Sequence, residues 1–428
     1  MNSSNHVEKA DIVPENYSPE KQLAIDRFRK HVNSAKADFW EEVRMPLVLG
    51  KRQGPFAWDM DGKKRVFNLH TNGGTYNLGH RHPVIIDTLV KALAQTDIGN
   101  GHLISRARAR LGARMAELMP GDLDYTVFGV SGGEAVDLAF KVARAYTGRD
   151  MILSARGGYH GHTGLAMAAG DEKYRAPFGP QPPGFAQVPF GDAAALEQAM
   201  GPNTAGVILE TIPATLGMPV PPEGYLKRVR ALCDRHNAVL IMDEVQTGLG
   251  RTGKLWGFEH FDILPDMVVI GKGLSGGIYP ITATVLRIPL ETVFHADPHI
   301  HVSTFGGAEP GCAVALKVLE ISAAPGFRDH VNQLADRFKT GITRLMEKYD
   351  ILQELRQVGL FMGLKMKTTD CGPLLSLAAY QHDLLMVYAN NDKSVAQFLP
   401  PLIIETGQAD WVLERLDRAL GDVQAFFR

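Results

Sequence analysis

Asp243 and Glu244 stand at the end of the apolar run AVLIMDEV, and Lys272 is the single lysine of VVIGKGLSGG, directly after a second apolar run. Strand ends are where α/β sheets bind ligands, and flanking glycines let a backbone approach a bulky ligand closely. Taken singly, each has a plainer reading: a helix cap or surface charge pair for Asp243-Glu244, an exposed loop lysine for Lys272. Glycines between them match two phosphate-binding patterns. Gly248, Gly250 and Gly253 spell G-x-G-x-x-G, but a dinucleotide site needs a helix opening there, and KLWGFEHF opens one poorly. Gly248 to Lys254 spells G-x-x-x-x-G-K, but Leu255 stands where a P-loop carries the Ser or Thr that holds Mg²⁺. Both patterns are set aside. His295, Asp297, His299 and His301 could suggest a metal, but they crowd one loop, and incidental polarity is the reading preferred; no metal is assigned.

The elements that must position these residues read as follows. A helix is expected over about Pro19–Ala37, after a polar, loose segment 1–20. PFAWDMDGKKRVFNL reads as a hairpin turning at Asp61-Gly62. From about residue 80 to 290, short apolar runs alternate with helical patterns: YTVFGV, MILSA, GVILET, AVLIMDEV and MVVIGK as strands, EAVDLAFKVARAYTG and PPEGYLKRVRALCDRHN as helices. Such alternation indicates an α/β domain with a mainly parallel sheet. After about residue 310 longer helices follow, then a sheet-like GLFMGLKM and a final amphipathic helix over about Asp410–Phe427, a second α+β domain.

At 428 residues the chain exceeds one ordinary core, so two or more closely packed domains are expected. A formal net charge of -2 gives no global field to recruit nucleic acid or an anionic membrane. Cys233, Cys312 and Cys371 fit neither a zinc site nor a disulfide framework, which points to reduced thiols in the cytoplasm. The start, MNSSNHVEKADIV, lacks the apolar run of a signal peptide, and no stretch of about 18 apolar residues exists to span a bilayer.

Taken together, these residues resemble the signature of the class III aminotransferases (the ornithine, acetylornithine and omega-amino-acid type), within fold type I of the pyridoxal 5′-phosphate (PLP) enzymes. That signature is an apolar strand, Asp-Glu-Val-Gln-Thr-Gly, a Gly-Arg-Thr-Gly run and a Schiff-base lysine a little under thirty residues on. Here it reads Asp243 to Gly248, Gly250-Arg251-Thr252-Gly253 and Lys272, the lysine 29 residues after Asp243. The resemblance spans about residues 55–405. It implies an α/β chain: a large PLP-binding domain at 76–325 with a mainly parallel sheet, and a smaller α+β domain at 326–428 joined by an N-terminal segment, 1–75.

The resemblance also implies roles. PLP needs a lysine amine to hold its aldehyde as an imine and to shuttle a proton at the substrate carbon; this falls to Lys272. It needs a carboxylate against the pyridine nitrogen, which falls to Asp243. Val245 packs on one ring face and Gln246 reaches the phenolic oxygen. Ser131-Gly132-Gly133, between strand and helix, offers donors for the phosphate; Gly133 departs from the family's frequent Ser or Thr, so one hydroxyl is missing. Tyr159 stacks on the ring, followed by His160. Glu210 matches the family's Glu, although the residues after it differ. Thr304, in HVSTFGG, crosses a dimer interface to the partner's phosphate, so a homodimer or tetramer is implied.

The reaction implied is amino-group transfer from an amine donor to a carbonyl acceptor. Aminomutases, epimerases and an oxidative decarboxylase share the scaffold and remain alternatives; a catalytically silent binding protein is opposed by the intact Lys272 and Asp243. Many family members read Arg-x-x-Pro-Pro-Leu near the C-terminus, the arginine gripping a substrate carboxylate. Gln397 stands in that place here. Either one substrate is not held by a carboxylate there, or another arginine, Arg81 or Arg106, takes over.

Overall fold

The computed structural model describes residues 17–427; the loose segment expected at the N-terminus lies, up to residue 16, outside them. The chain divides into two compact units, a small one up to Arg52 together with Ala57–Arg65, and a large one of Gln53–Phe56 and Val66 onward.

In the small unit the single helix expected over Pro19–Ala37 is two: α1 (Pro19–His31) and α2 (Ser34–Glu42). Val32 leaves helical dihedrals, and Asn33 is extended and caps α2 by accepting from the Lys36 amide at 2.9 Å. Asparagine is among the best N-cap residues, so the break is written at Asn33 although the apolar spacing runs through it. Strands β1 (Leu49–Gln53), β2 (Phe56–Asp59) and β3 (Arg65–Asn68) follow. The turn between β2 and β3 has Gly62 at φ +73°, as Asp-Gly predicts. Lys21 and Asp59 form a buried ion pair at 2.6 Å.

The large unit is built on a seven-stranded sheet: β4 (Leu123–Gly129), β5 (Met151–Ala155), β6 (Phe185–Val188), β7 (Thr204–Glu210), β8 (Val239–Asp243), β9 (Met267–Ile270) and β10 (Thr282–Arg287). Its order is β4-β10-β9-β8-β7-β5-β6. β5 to β9 pair in parallel, whereas β10 runs antiparallel to both β9 and β4. Both faces are covered. Val207, Leu209, Leu240 and Met242 join one core cluster, while the alternating Ile208 and Ile241 join the other, with Val136 and Phe140 of helix α3 (Gly132–Thr147). Burial on both faces is why these strands read as unbroken apolar runs. β10 escaped the sequence reading because it follows the glycine run with no helical stretch to mark it off.

A second, antiparallel sheet takes the order β11-β12-β15-β14, from β11 (Leu352–Val358), β12 (Phe361–Met366), β14 (Val387–Tyr388) and β15 (Val395–Phe398), while the short β13 (Leu384–Leu385) pairs in parallel with β3. Only β12 was read as sheet from the sequence. Helix α4 (Pro325–Lys348) and helix α5 (Thr406–Phe426) supply Phe338, Ile342, Val412 and Leu416 to a core shared with Leu364 and Phe398. Phe67 and Leu69, far upstream, belong to this core as well. α5 starts at Thr406, four residues before the expected Asp410, because Glu405 and Gln408 cap it reciprocally.

Candidate active site

Parallel strands end side by side, so residues far apart in sequence meet at one edge. Glu210 ends β7 and Asp243 ends β8, and the two are register partners. Lys272 stands two residues after the end of β9, the next strand. Tyr159 and His160 follow β5, and Ser131 caps α3 just after β4, its hydroxyl accepting from the Glu134 amide. These groups line one cavity of about 410 Å³, within the range of small-molecule sites. Ser131, Gly132, Gly133, Tyr159, His160, Glu210, Asp243, Val245, Gln246 and Lys272 all reach it.

Thr304 and Gln397 do not. Thr304 is exposed on a loop away from the cavity. Gln397 is buried in β15, paired with Gly363 and Val387, and outside the cavity lining.

Asp243 is fixed from two sides. One carboxylate oxygen accepts from the Val245 amide at 3.1 Å and the other lies 2.9 Å from His160 Nδ1. Burial works against a charged His160, but the hydrogen bond to Asp243 and the charges of Asp243 and Glu210 outweigh it and raise its pKa. Glu210 accepts from the Tyr159 amide at 2.9 Å, and burial pushes its carboxyl up to about 7. Burial lowers the Lys272 amine, against the pull of Asp243 and Glu210. A lysine nitrogen brought down this way is closer to its neutral, nucleophilic form.

Three further features were not read from the sequence. Thr163 Oγ1 stands 2.7 Å from where a Cβ on Gly133 would be. A side chain at 133 would collide with it, and a hydroxyl is present beside the helix start after all. Second, Thr71, Asn72, Gly73 and Gly74 have φ of +48°, +51°, +66° and +98°, a left-handed turn. For non-glycine residues such dihedrals cost on the order of 1–3 kcal/mol each. A Cβ at Gly73 would come within 3.0 Å of Lys272 Cε and 3.2 Å of Gln246 Oε1, so the turn lies directly against the lysine. Asn-Gly-Gly is a turn signal, but nothing in it says what the turn faces. Third, His70 leads into that turn, and burial followed by the charge of Lys272 lowers it to about 4; it is neutral at physiological pH.

Glu244 faces away from the cavity. Its carboxylate accepts from the amides of Gly257 and Phe258 at 2.7 and 2.9 Å and from the Thr211 hydroxyl. The segment KLWGFEHF, a poor helix opening by sequence, forms a 3-10 turn over Gly257–Phe261, and its first amides are spent on this side chain. The G-x-G-x-x-G run therefore leads to no vacant anion site.

The site fits PLP on its own chemistry. The Gly132 and Gly133 amides open a 16-residue helix at one end of the cavity, as an anion requires. An amine and a buried carboxylate stand at the other. Gln246 Oε1 and His160 Nε2 are buried polar atoms without a hydrogen-bond partner, which a bound polar group could satisfy.

Comparison with known proteins adds the following. The sequence matches the family model of class-III aminotransferases over residues 40–420. It is 55% identical over 400 residues to an uncharacterized aminotransferase of Archaeoglobus fulgidus, covering 94% of each chain. The fold superposes on the ornithine aminotransferase of Toxoplasma gondii with a TM-score of 0.87 at 27% identity, over 95% of this chain and 96% of that one. It also superposes on the taurine:2-oxoglutarate aminotransferase of Bifidobacterium kashiwanohense, solved with PLP and glutamate, with a TM-score of 0.82 at 26% identity, over 88% and 93%.

Proposed function

Because this chain belongs to the class III aminotransferases, PLP-dependent enzymes that move an amino group between small-molecule donors and acceptors, we propose that Lys272 is its catalytic lysine and Asp243 its ring-nitrogen carboxylate. The observation that carries the reading is the meeting of a lysine made less basic by burial with Asp243 in one cavity at adjacent strand ends.

Bound PLP supplies an aldehyde that takes up an amino group and a ring that accepts electrons from the substrate carbon. Lys272 would hold it through Nζ, and the Gly132 and Gly133 amides with the hydroxyls of Ser131 and Thr163 would face its phosphate. Tyr159 and Val245 would flank the ring, and Gln246 would meet the phenolic oxygen. Asp243, oriented by the Val245 amide and by His160, would hold a proton on the ring nitrogen. Lys272, with its amine free, would be the group that moves a proton from the substrate carbon to the carbon that had carried the aldehyde. Borohydride reduction followed by peptide mapping should place a pyridoxyl group on Lys272; finding it on Lys254 or Lys141 would overturn the assignment.

The active unit in this reading is at least a dimer, with Thr304 completing the partner's phosphate site. Exposed Ile300, Val302 and Phe305 flank Thr304, and exposed Leu103 and Ile104 share a groove with Val302; clustered exposed apolar surface marks an interaction face. An active, PLP-saturated monomer in sedimentation would exclude this. No described helix is long and apolar enough to cross a membrane. The three buried, unpaired cysteines support a cytoplasmic location, which cell fractionation would test.

A further inference from the structure

Arg251 is fully buried, yet no carboxylate among the described residues lies within ion-pair distance of it. Burial alone drags its pKa down to about 9. Apolar packing commonly replaces buried charge at no loss of stability, so a lone buried guanidinium calls for another reason.

Its hydrogen bonds supply one. Nη1 donates to the carbonyls of Pro400 at 2.6 Å and Leu360 at 3.2 Å, and Nη2 donates to Asn77 Oδ1 at 2.6 Å. The Asn77 arm leads to the active site. The Asn77 amide donates to the Gly74 carbonyl at 3.2 Å, at the end of the left-handed turn. On its other side, the Asn77 amide nitrogen, Nδ2, stands 3.0 Å from where a Cβ on Gly273 would be, and Gly273 follows Lys272. Asn68 secures the opposite end of the turn, its Oδ1 accepting from the His70 and Thr71 amides at 3.1 and 2.8 Å. A turn this strained persists only where its surroundings over-determine it, and the planar guanidinium spreads its donors in a fixed fork that spans the three acceptors, where an ammonium is a compact point.

We propose that Arg251 is a positioning residue for Lys272: through Asn77 it holds the Thr71–Gly74 turn against the lysine side chain. The inference rests on the reading of Lys272 as the catalytic lysine.

The test separates the arm to the turn from the two arms that only staple the fold. Asn77→Ala removes the first and leaves the bonds to Leu360 and Pro400. In the holoenzyme it should lower kcat at least about tenfold, as small misplacements of reacting groups do, with KM for the amine donor within about twofold. Hydrogen exchange read by mass spectrometry, with and without bound PLP, should quicken over residues 69–79, with a melting temperature lowered less than in Arg251→Ala, which also loses the bonds to Leu360 and Pro400. Arg251→Lys should show the same loss of kcat with a lower melting temperature, and guanidinium ion should restore part of kcat to Arg251→Ala. If the Arg251 variants fail to fold, Asn77→Ala decides alone. Wild-type kcat in Asn77→Ala, or a fall in kcat without faster exchange over 69–79, overturns the proposal. Pyridoxyl mapping separates the two claims: a label missing from Lys272 in the wild type defeats the functional reading, whereas normal label and normal turnover in Asn77→Ala defeat only the role of Arg251.

Discussion

The two walls of the cavity are made differently. One is the edge of the parallel sheet, where Glu210, Asp243 and Lys272 are delivered by β7, β8 and β9 and differ by one strand spacing each. The other is the left-handed turn Thr71–Gly74, outside any regular element and held by side chains, Asn68 and Asn77. Regular structure places the reactive groups; irregular structure sets the room in front of them.

The sharpest way to break this contrast is at the first wall. Asp243→Asn should keep PLP bound, since asparagine still reaches the ring nitrogen, but should lose on the order of 10²–10³ in rate, because a neutral amide does not stabilise a positive ring. Near-normal turnover in the variant would remove Asp243 from the chemistry. A smaller effect concerns the room between the walls. Among the described residues no arginine lines the cavity, and both Arg81 and Arg106 are exposed and outside it. A carboxylate fork is made of bonds worth roughly 1.5–3 kcal/mol each, so 2-oxoglutarate should be a poorer acceptor than simple aldehydes in steady-state comparison. Efficient use of 2-oxoglutarate would mean that an arginine from elsewhere, or from a partner, reaches in.

The effect smallest on turnover separates Glu244 from its neighbour Asp243. Burial raises the Glu244 carboxyl from 4.5 to about 7, against the hydrogen bonds from Thr211 and Gly257. Between those values the folded chain keeps a proton that the unfolded chain has released, so stability falls as pH rises through the window, by about 3 kcal/mol in all. Denaturant unfolding of Glu244→Gln from about pH 5 to about pH 8 should show a flatter profile than the wild type, with activity little changed. An unchanged profile would show that Glu244 titrates normally.

What was legible in the sequence follows the same division. An acid at the end of an apolar strand and a lysine among glycines are local patterns with plainer readings when taken singly; the family signature that joins Asp243 and Lys272 at 29 residues gave them their roles, and both line the cavity. Glu210, Tyr159 and His160 also stand at or just after strand ends, and they reach the cavity. Thr163, 30 residues from Gly133, was missed because only packing brings its hydroxyl beside that glycine. Arg251 was read as one letter of a motif, and its three acceptors lie 109, 149 and 174 residues away. Gln397 was read from a family position, yet in this chain it is a buried strand residue outside the cavity. β11 was missed because LQELRQV is largely polar, and β15 because four residues carry little periodicity.

The antiparallel pairing of β10 with β4 has a thermodynamic consequence. β4 is an edge strand, and its end leads into the Gly132 and Gly133 amides; β10 begins just after the segment of Lys272. Thr282 sits opposite Gly129, and its hydroxyl donates to the Ser131 carbonyl at 3.3 Å. The two ends of the cavity are thus joined across a pairing whose partners lie some 150 residues apart, a closure that costs chain entropy. A ligand that grips both ends binds only while that seam is shut. Its free concentration then enters the balance between open and closed edge by mass action, and the cofactor becomes a clasp on this margin of the sheet as well as the reagent it carries.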